Sequence, residues 1–233
     1  MTIVVVAIDG ESASGKGTLG KNVARELDFA YLDTGLLYRQ TAFNVMKNNG
    51  NINSEADAAR AASQVSIAAI NPDLLRGEDI SQGASVVAAY PLVRAALLGL
   101  QRDFAKNPPN NKRGAVLDGR DIGTVVCPDA EIKLYVTADP AIRAARRHKE
   151  LQDKGITAIQ GQVLDDLKQR DHRDAHRSTA PLRVAPDAWV VDTTHTSAAE
   201  VLANVLDYIT KTKKIGLVSP LGMTERDAES KNR

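Results

Sequence analysis

Short apolar runs and helical spacings alternate along most of the chain, and this pattern predicts strands alternating with helices. Residues 3–8 form a short, β-branched apolar run, which is typical of a strand buried in a parallel sheet. Leu19, Val23 and Leu27 then follow at the spacing of one helical face. Because such units recur downstream, we expect a parallel sheet between layers of helices, that is, an α/β fold.

Further elements are predicted by the same two patterns. The expected strands cover residues 30–32, 115–118, 132–136 and 188–191, and the expected helices cover residues 36–48, 53–62, 140–151, 163–177 and 197–210. Asn53-Ser54 and Ser197 are suitable helix caps, and Pro140 suits the first turn of a helix.

Two regions interrupt the alternation. Residues 66–91 hold a short β-like run, a turn-like stretch at residues 76–79 and a segment that ends at Tyr90-Pro91, and together they indicate a small insert. Residues 155–186 are rich in arginine and aspartate and have few core positions, as in a mobile lid.

The domain organisation follows from these interruptions. We expect one domain over residues 1–214, with the insert at about 63–94 and the lid at about 152–182. Residues 215–233 lack periodicity and are predicted to form a flexible tail.

Composition narrows the possible partners. The 233 residues carry a formal net charge of +1, and only 4% are aromatic. This balance argues against attachment to nucleic acid or to an anionic membrane mainly through charge, and against aromatic platforms for single strands. Cys127 is the one cysteine, so an intrachain disulfide is excluded and a reducing compartment fits. With neither a signal-peptide pattern nor an apolar run of about 20 residues, we expect a cytoplasmic protein.

A glycine-rich loop separates the first strand from the first helix. It reads Gly10-Glu-Ser-Ala-Ser-Gly-Lys-Gly-Thr18. Glycines allow several backbone N–H groups to converge on one anion, Lys16 adds a positive charge, and the helix N-terminus adds its dipole. The loop therefore predicts a P-loop that binds the phosphates of ATP with all nine of its residues: Gly10, Glu11, Ser12, Ala13, Ser14, Gly15, Lys16, Gly17 and Thr18.

The end of the loop favours one class of P-loop protein. In a common P-loop a serine or threonine follows the lysine directly and meets Mg²⁺. Here Gly17 intervenes before Thr18, and this spelling resembles that of the nucleoside monophosphate kinases.

Arginines are placed where a kinase of this class needs them. Phosphoryl transfer requires two polyanions to be brought together and neutralised, and the guanidinium group pairs bidentately with phosphate without deprotonating. The candidate arginines lie after predicted strands or within the predicted lid: Arg39, Arg94, Arg120, Arg170, Arg173 and Arg177.

Four further motifs join the P-loop in a recognisable order. They are the segments at residues 32–39 (LDTGLLYR), 84–94 (ASVVAAYPLVR), 117–124 (LDGRDIGT) and 170–177 (RDHRDAHR). Over about residues 3–208 the chain resembles the bacterial cytidylate kinases. The resemblance implies a three-layer P-loop fold with a parallel central sheet, an insert that binds the nucleoside monophosphate, and a lid. It also implies ATP and Mg²⁺ as cofactors, CMP and dCMP as acceptors, and a monomer.

The resemblance assigns roles to matching positions. It places Thr34, Tyr38 and Arg39 at the monophosphate, although the family usually has serine where Thr34 stands. It places Ser85, Arg94 and Asp121 at the cytosine edge, whose N4 donor and N3 and O2 acceptors suit a carboxylate, an arginine and a hydroxyl.

The remaining roles concern the transferred group and the metal. Arg120 would hold the acceptor phosphate, Arg170 and Asp174 would approach the ribose, and Arg177 would span the transferring phosphate. Asp118 stands where a Walker-B acid would hold Mg²⁺ through water, together with Thr18. The insert at residues 66–84 is shorter than in many relatives.

Several alternatives remain open at this stage. Arg102 could serve in place of Arg94, Asp118 could cap a turn, and a solvated helix face is favoured for Arg143, Arg146 and Arg147. His172 and His176 have the spacing of zinc ligands on a helix, but a third ligand at an expected spacing is lacking. The triplet at residues 172–174 also matches a protein-kinase motif, without its companion motifs.

Two other functions compete with cytidylate phosphorylation. One is a P-loop kinase for adenylate or for a non-nucleotide alcohol, and a panel of acceptors separates it from a cytidylate kinase. The other is an ATP-driven switch that grips nucleic acid with the arginine-rich lid, and the nearly neutral charge speaks against it.

Overall fold

A parallel five-stranded sheet forms the centre of the computed structural model, which describes residues 3–75, 77–153 and 155–213. The strands are β1 (Val4–Gly10), β2 (Ala30–Asp33), β3 (Gly114–Gly119), β4 (Ile132–Thr137) and β5 (Trp189–Asp192). Their order across the sheet is β2-β3-β1-β4-β5, and every neighbouring pair is parallel. β1 and β3 therefore lie inside the sheet, which explains why their sequences are apolar on both faces.

Helices cover both faces of this sheet. Within the described residues they are α1 (Lys16–Leu27), α2 (Gly35–Lys47), α3 (Glu55–Ala62), α4 (Glu78–Val87), α5 (Pro91–Lys106), α6 (Pro140–Asp153), α7 (Gln160–His176) and α8 (Ala198–Lys213). Ser54 caps α3 by accepting a hydrogen bond from the Asp57 N–H at 3.3 Å, and Ser197 caps α8 through the Glu200 N–H at 3.3 Å. Both caps satisfy a backbone donor that a helix start leaves unpaired.

The hydrophobic core is divided by the sheet. On one face, Val6 and Ile8 of β1 pack with residues of α1 and α8, such as Val23 and Val205. On the other face, Leu117 of β3 packs against α5 and the turn after β3. A separate cluster joins α2, α3, α4 and the first half of α5 beside the sheet. This three-layer arrangement confirms the predicted α/β fold.

The predicted elements are confirmed at the expected places, with one exception. Residues 66–91 contain no strand among those described: the β-like run is a 3₁₀ turn (Ile67–Ala69), and a second 3₁₀ turn (Pro72–Leu75) follows it. The expected turn at residues 76–79 runs into α4, which begins at Glu78, while Arg76 lies outside the described residues. The predicted tail at residues 215–233 also lies outside them.

No single described helix is long and apolar enough to cross a membrane. α4 and the helical segment that begins at Pro91 would together be long and apolar enough to span a membrane, but a bend of 100° separates them. In the structure they pack against α2 and α3 in the cluster beside the sheet.

Candidate active site

The loop between β1 and α1 has the backbone that its glycines predict. At Gly10, where φ is +152°, a Cβ would stand only 2.0 Å from the carbonyl oxygen of Val136, so a side chain is excluded there. Gly15 caps α1 with a φ of +91°, a conformation that L side chains rarely adopt. The loop can therefore wrap the start of α1, where free N–H groups and the helix dipole favour an anion.

Lys16 opens α1 and turns back over the loop. Its Nζ donates a hydrogen bond to the carbonyl oxygen of Glu11 at 3.3 Å. The pKa of Lys16 is lowered to about 8, first by burial and then by the charge of Arg120, whereas Asp118 and Asp33 act in the opposite direction. A phosphate beside the ammonium group would offset this desolvation, because a nearby negative charge favours the charged form of the lysine.

Two carboxylates face Lys16 from the ends of adjacent strands. Asp33 of β2 and Asp118 of β3 are partners in the register of the sheet. The Tyr31 hydroxyl donates a hydrogen bond to Asp118 Oδ1 at 3.3 Å. Burial and the negative charge of Asp33 raise the pKa of Asp118 to about 7. Because the negative charge of Asp33 disfavours ionisation of Asp118, a cation bound between the two carboxylates would be favourable.

A cavity of about 230 Å³ opens beside Lys16 at the carboxyl ends of β2 and β3. The predicted acceptor-side and catalytic residues all line it: Lys16, Thr34, Tyr38, Arg39, Ser85, Arg94, Asp118, Arg120, Asp121, Arg170, Asp174 and Arg177. The P-loop also contributes Ser12, Ala13 and Gly17 to its wall. Positions scattered over more than 160 residues of sequence thus meet around one space.

Charge in the cavity is unbalanced in favour of cations. Seven basic side chains line it, against five acidic ones. Three of these charged side chains were not predicted as site residues, namely Asp33, Arg147 and Glu150. An excess of positive charge in a concave, partly desolvated space is suited to polyanionic ligands.

One end of the cavity is built around Asp121. Its carboxylate is 5% exposed and forms an ion pair with Arg94, while Nη2 of Arg177 lies 3.6 Å from its other oxygen. The Arg94 guanidinium also lies over the Tyr38 ring, 5.5 Å from its centroid. Arg102, the alternative to Arg94, instead donates to the carbonyl oxygens of Val125 and Val126 at 3.0 Å, so Arg94 is the arginine at the cavity.

Asp174 of α7 is the centre of a second group of contacts in the cavity wall. It accepts a hydrogen bond from Arg120 Nε at 2.8 Å, and the Ser85 hydroxyl lies 3.5 Å from its other oxygen. Burial opposes ionisation of Asp174, but the charges of Arg120 and Arg170 outweigh it and hold the pKa below its ordinary value. Asp174 thus fixes the Arg120 guanidinium and ties α7 to the strand end that carries it.

The preference for a solvated face at Arg143 is wrong. Arg143 is buried, donates to the carbonyl oxygen of Ser12 at 3.2 Å and pairs with Asp171 of α7 at 2.6 Å. Arg146 donates to Thr193, and Arg147 pairs with Glu78 and lines the cavity. This helix face therefore connects the P-loop, α7 and α4.

Other predicted positions lie away from the cavity. Thr18 is exposed in the first turn of α1 and is not part of the cavity wall, so its contact with a metal stays a prediction. His172 and His176 are exposed and stack with ring centroids 4.1 Å apart. In the part of the chain that the structure describes, no three metal-binding side chains come together.

Asp9 was not predicted as a site residue, but its carboxylate fixes the backbone that follows Asp121. Its two oxygens accept hydrogen bonds from the N–H groups of Ile122 and Gly123 at 2.7 and 2.8 Å. These residues begin a π-helical turn (Ile122–Val126) directly after Asp121. A carboxylate inside an apolar strand, one residue before the P-loop glycine, was the available sequence signal.

Comparisons with known proteins agree with this geometry. A model of the cytidylate kinase family matches residues 6–211. Curated cytidylate kinases of Paramagnetospirillum magneticum and Rhodospirillum rubrum are 51% and 48% identical, and each alignment covers 88% of this chain and 97% of the relative. An uncharacterized protein from Eubacterium ventriosum has a similar fold, with a TM-score of 0.50 at 13% identity over 88% of this chain and 98% of the other. The chain belongs to the cytidylate kinase family.

Proposed function

We propose that the protein transfers the γ-phosphoryl group of ATP to CMP, and also to dCMP, giving the nucleoside diphosphate and ADP. The observation that carries this proposal is the single cavity in which the P-loop lysine meets arginines from α2, β3 and α7. Lys16 would neutralise the donor phosphates, since its ammonium group lies inside the loop at the mouth of the cavity. The match to the family makes ATP the donor.

The acceptor phosphate would be held by arginines. Arg39, Arg120 and Arg177 line the cavity from three separate elements, and each offers a planar fork of N–H donors. An oxygen of the acceptor phosphate is already an anion, so the protein needs no general base. The work of the site is to align two phosphates, neutralise them and exclude water.

The base would be read at the Asp121 end. A carboxylate accepts from the N4 amino group of cytosine, and Arg94 and Ser85 can donate to the neighbouring acceptors. Because Arg94 and Arg177 converge on Asp121, its carboxylate is fixed in direction. Uracil carries an oxygen where cytosine carries this amino group, so the site would disfavour UMP.

Mg²⁺ fits the carboxylates that face Lys16. Tyr31 orients Asp118 through Oδ1, and Oδ2 faces Gly17, where a Cβ would come within 3.4 Å of it. The absence of a side chain at Gly17 therefore leaves room beside Asp118 for a hydrated ion. Mg²⁺ characteristically uses one or two carboxylates, waters and substrate phosphates, and when bound it would neutralise charge on the transferred group. Asp118 would hold it, with Asp33 beside it and Thr18 as a further candidate.

The surrounding organisation is part of the same proposal. Residues 63–94 would act as the monophosphate-binding insert and residues 152–182 as the lid, in one domain over residues 1–214. α4 and α7, which belong to these two segments, are joined by hydrogen bonds from Arg170 to Ser81 and from Arg173 to Gln82, and this contact would help to exclude water from the cavity. We further expect a cytoplasmic monomer that does not bind nucleic acid.

A panel of acceptors tests the function. With ATP and Mg²⁺ present, the initial rates with CMP, dCMP, UMP and AMP are compared, and product diphosphates are identified directly. We expect CMP and dCMP to give the highest kcat/KM. A clear preference for AMP or UMP would overturn the proposal, and the ratio of CMP to dCMP gives the sugar preference.

A further inference from the structure

Ser81 joins two arginines that come from different helices and line the same cavity. It lies on α4, its side chain is 1% exposed, and its Oγ accepts hydrogen bonds from Arg39 Nη2 at 3.1 Å and Arg170 Nη1 at 2.8 Å. Arg39 belongs to α2, in the acceptor segment, and Arg170 belongs to α7 in the proposed lid. Ser81 itself is outside the four motifs and the P-loop.

Two guanidinium groups so close together repel each other. Burial is the main cause that lowers the pKa of Arg170, to about 10, and the charges of Arg120 and Arg39 contribute. Burial also lowers the pKa of Arg39. A neutral hydroxyl oxygen with two lone pairs can accept from both guanidinium groups, and such charge-assisted hydrogen bonds are stronger than neutral ones.

These hydrogen bonds also fix direction. A guanidinium group is planar, so an N–H that points at Ser81 determines where the other N–H groups of the same side chain point. Arg39 is fixed at a second point, because its Nη1 donates to the carbonyl oxygen of Leu75 at 2.9 Å. Both side chains line the cavity, so the hydrogen bonds to Ser81 restrict how their remaining donors can meet a ligand there.

Neighbouring positions on α4 form hydrogen bonds with other arginines, one on α6 and one on α7. Glu78 pairs with Arg147 at 2.6 Å, and Gln82 accepts from Arg173 Nη2 at 2.6 Å. Ser81 is therefore the position on this helix face where the acceptor arginine and the lid arginine meet.

We infer that Ser81 is a positioning residue that holds Arg39 and Arg170 as a pair at the acceptor nucleotide, and so couples the acceptor segment to the lid. The inference rests on the proposed function, because it takes the cavity that both arginines line as the acceptor site, with Arg39 at the phosphate and Arg170 towards the ribose. If Ser81 only filled space in the packing of α4, its removal would change stability and leave the kinetic constants near their original values.

Kinetics of Ser81→Ala test this inference, with Ser81→Thr as the variant that keeps the hydroxyl. For Ser81→Ala we expect kcat/KM for CMP to fall by about tenfold or more, with the smallest change in KM for ATP. Ser81→Thr should stay within about threefold of the wild type. Gln82→Ala is the matched control on the same helix, because it also loses a hydrogen bond to a lid arginine, but to Arg173, which does not line the cavity.

A double-mutant cycle provides a readout that packing alone would not move. If Ser81 acts through Arg170, the loss caused by Ser81→Ala should shrink to about threefold or less in an Arg170→Ala background. Equal losses in both backgrounds, or equal kcat/KM for Ser81→Ala and Gln82→Ala, would overturn the inference. The cycle needs no contribution from Ser81→Thr, so it remains decisive if that variant does not fold.

Failure of the proposed function is recognised separately. Wild-type turnover of CMP reports on the function alone, and if another acceptor is preferred, the same variants are measured with that acceptor. If no acceptor is phosphorylated, thermal shifts by inorganic phosphate replace the kinetics. A smaller shift for Ser81→Ala than for Gln82→Ala would then support the pairing of the arginines, and equal shifts would contradict it.

Discussion

Replacing Asp121 tests the end of the cavity that we assign to the base. Asp121→Ala removes the carboxylate that pairs with Arg94 and lies 3.6 Å from Arg177. The Arg94 guanidinium would keep its contact with the carbonyl oxygen of Ala88 at 3.3 Å and its place over the Tyr38 ring, but it would lose its paired carboxylate in surroundings where its side chain is 9% exposed. Removing one partner of a buried ion pair costs about 3–5 kcal/mol of stability. We therefore expect a large fall in the free energy of unfolding.

The effect on acceptor binding has a separate magnitude. A hydrogen bond between the N4 amino group and a carboxylate contributes about 1.5–3 kcal/mol. At about 1.4 kcal/mol per factor of ten, its loss should raise KM for CMP roughly 10- to 150-fold and leave KM for ATP nearly unchanged. Asp121→Asn keeps the shape but offers an amide NH₂ group, so it should also narrow the preference for CMP over UMP.

Steady-state kinetics and urea unfolding, measured on the same preparations, separate the two effects. Asp103→Ala is the control, since Asp103 is an exposed aspartate on α5 whose side chain accepts a hydrogen bond from Asn107. This substitution should change the free energy of unfolding by no more than about 0.5 kcal/mol. Destabilised Asp121 variants with an unchanged KM for CMP would refute the reading of Asp121 as a base-binding residue. They would leave it as a structural partner of Arg94.

Three further predictions follow from named side chains. Lys16→Met should lower kcat by about a thousandfold while the thermal midpoint stays close to that of the wild type, because Lys16 makes only one backbone hydrogen bond in the loop; near-normal kcat would exclude its donor role. The pKa of Asp9 is raised from 3.8 to about 6 mainly by burial, so its protonation stabilises the fold below about pH 4 and this contribution is lost as pH rises through 6. Asp9→Asn should therefore gain about 1 kcal/mol relative to the wild type between pH 5 and pH 7 in urea unfolding, and a pH-independent difference would contradict the burial argument. Asp174→Asn should destabilise the nucleotide-free protein, since it leaves Arg120 without its carboxylate, and bound CMP and ATP should restore part of the loss; thermal shifts that match those of the wild type would argue against this.

Local patterns were sufficient for the framework of this protein. The strand, glycine loop and helix at residues 3–27 depend on neighbouring residues, so the sequence alone predicts them. The predictions failed where a residue's environment depends on partners that are distant in sequence or where the apolar pattern is weak. α4 was missed because its buried positions are the small side chains Ser81, Ala84 and Ser85 as well as Val87, so they give a weak apolar stripe. Arg143 was expected in solvent because its partner Asp171 lies 28 residues away on another helix.

In the candidate site, too, the sequence predicts residues that follow a recognisable strand but not those whose role depends on distant partners. Strand ends in a parallel sheet meet at one edge, so Asp118 and the residues that follow it could be placed by position along the chain. Asp33 belongs to the same edge, but its effect on the pKa of Asp118 depends on the register of β2 and β3. Ser81 could not be singled out from sequence, because its role depends on two arginines that meet it from separate helices.

Donor and acceptor sides of the cavity are joined by the central strands. β1 ends in Asp9 and Gly10, where the donor loop begins, and Asp9 is paired in register with Gly119 at the end of β3. The Asp9 carboxylate then accepts hydrogen bonds from the N–H groups that follow Asp121, so the loop assigned to ATP and the segment assigned to the acceptor share one support. Arg39 and Arg170, by contrast, reach the cavity from helices outside the sheet, and Ser81 on α4 accepts a hydrogen bond from each of them. On the proposed function, alignment of the two nucleotides would depend on the sheet, whereas the pairing of these two arginines would depend on α4. We therefore expect substitutions at Asp9 and Ser81 to affect the two requirements separately.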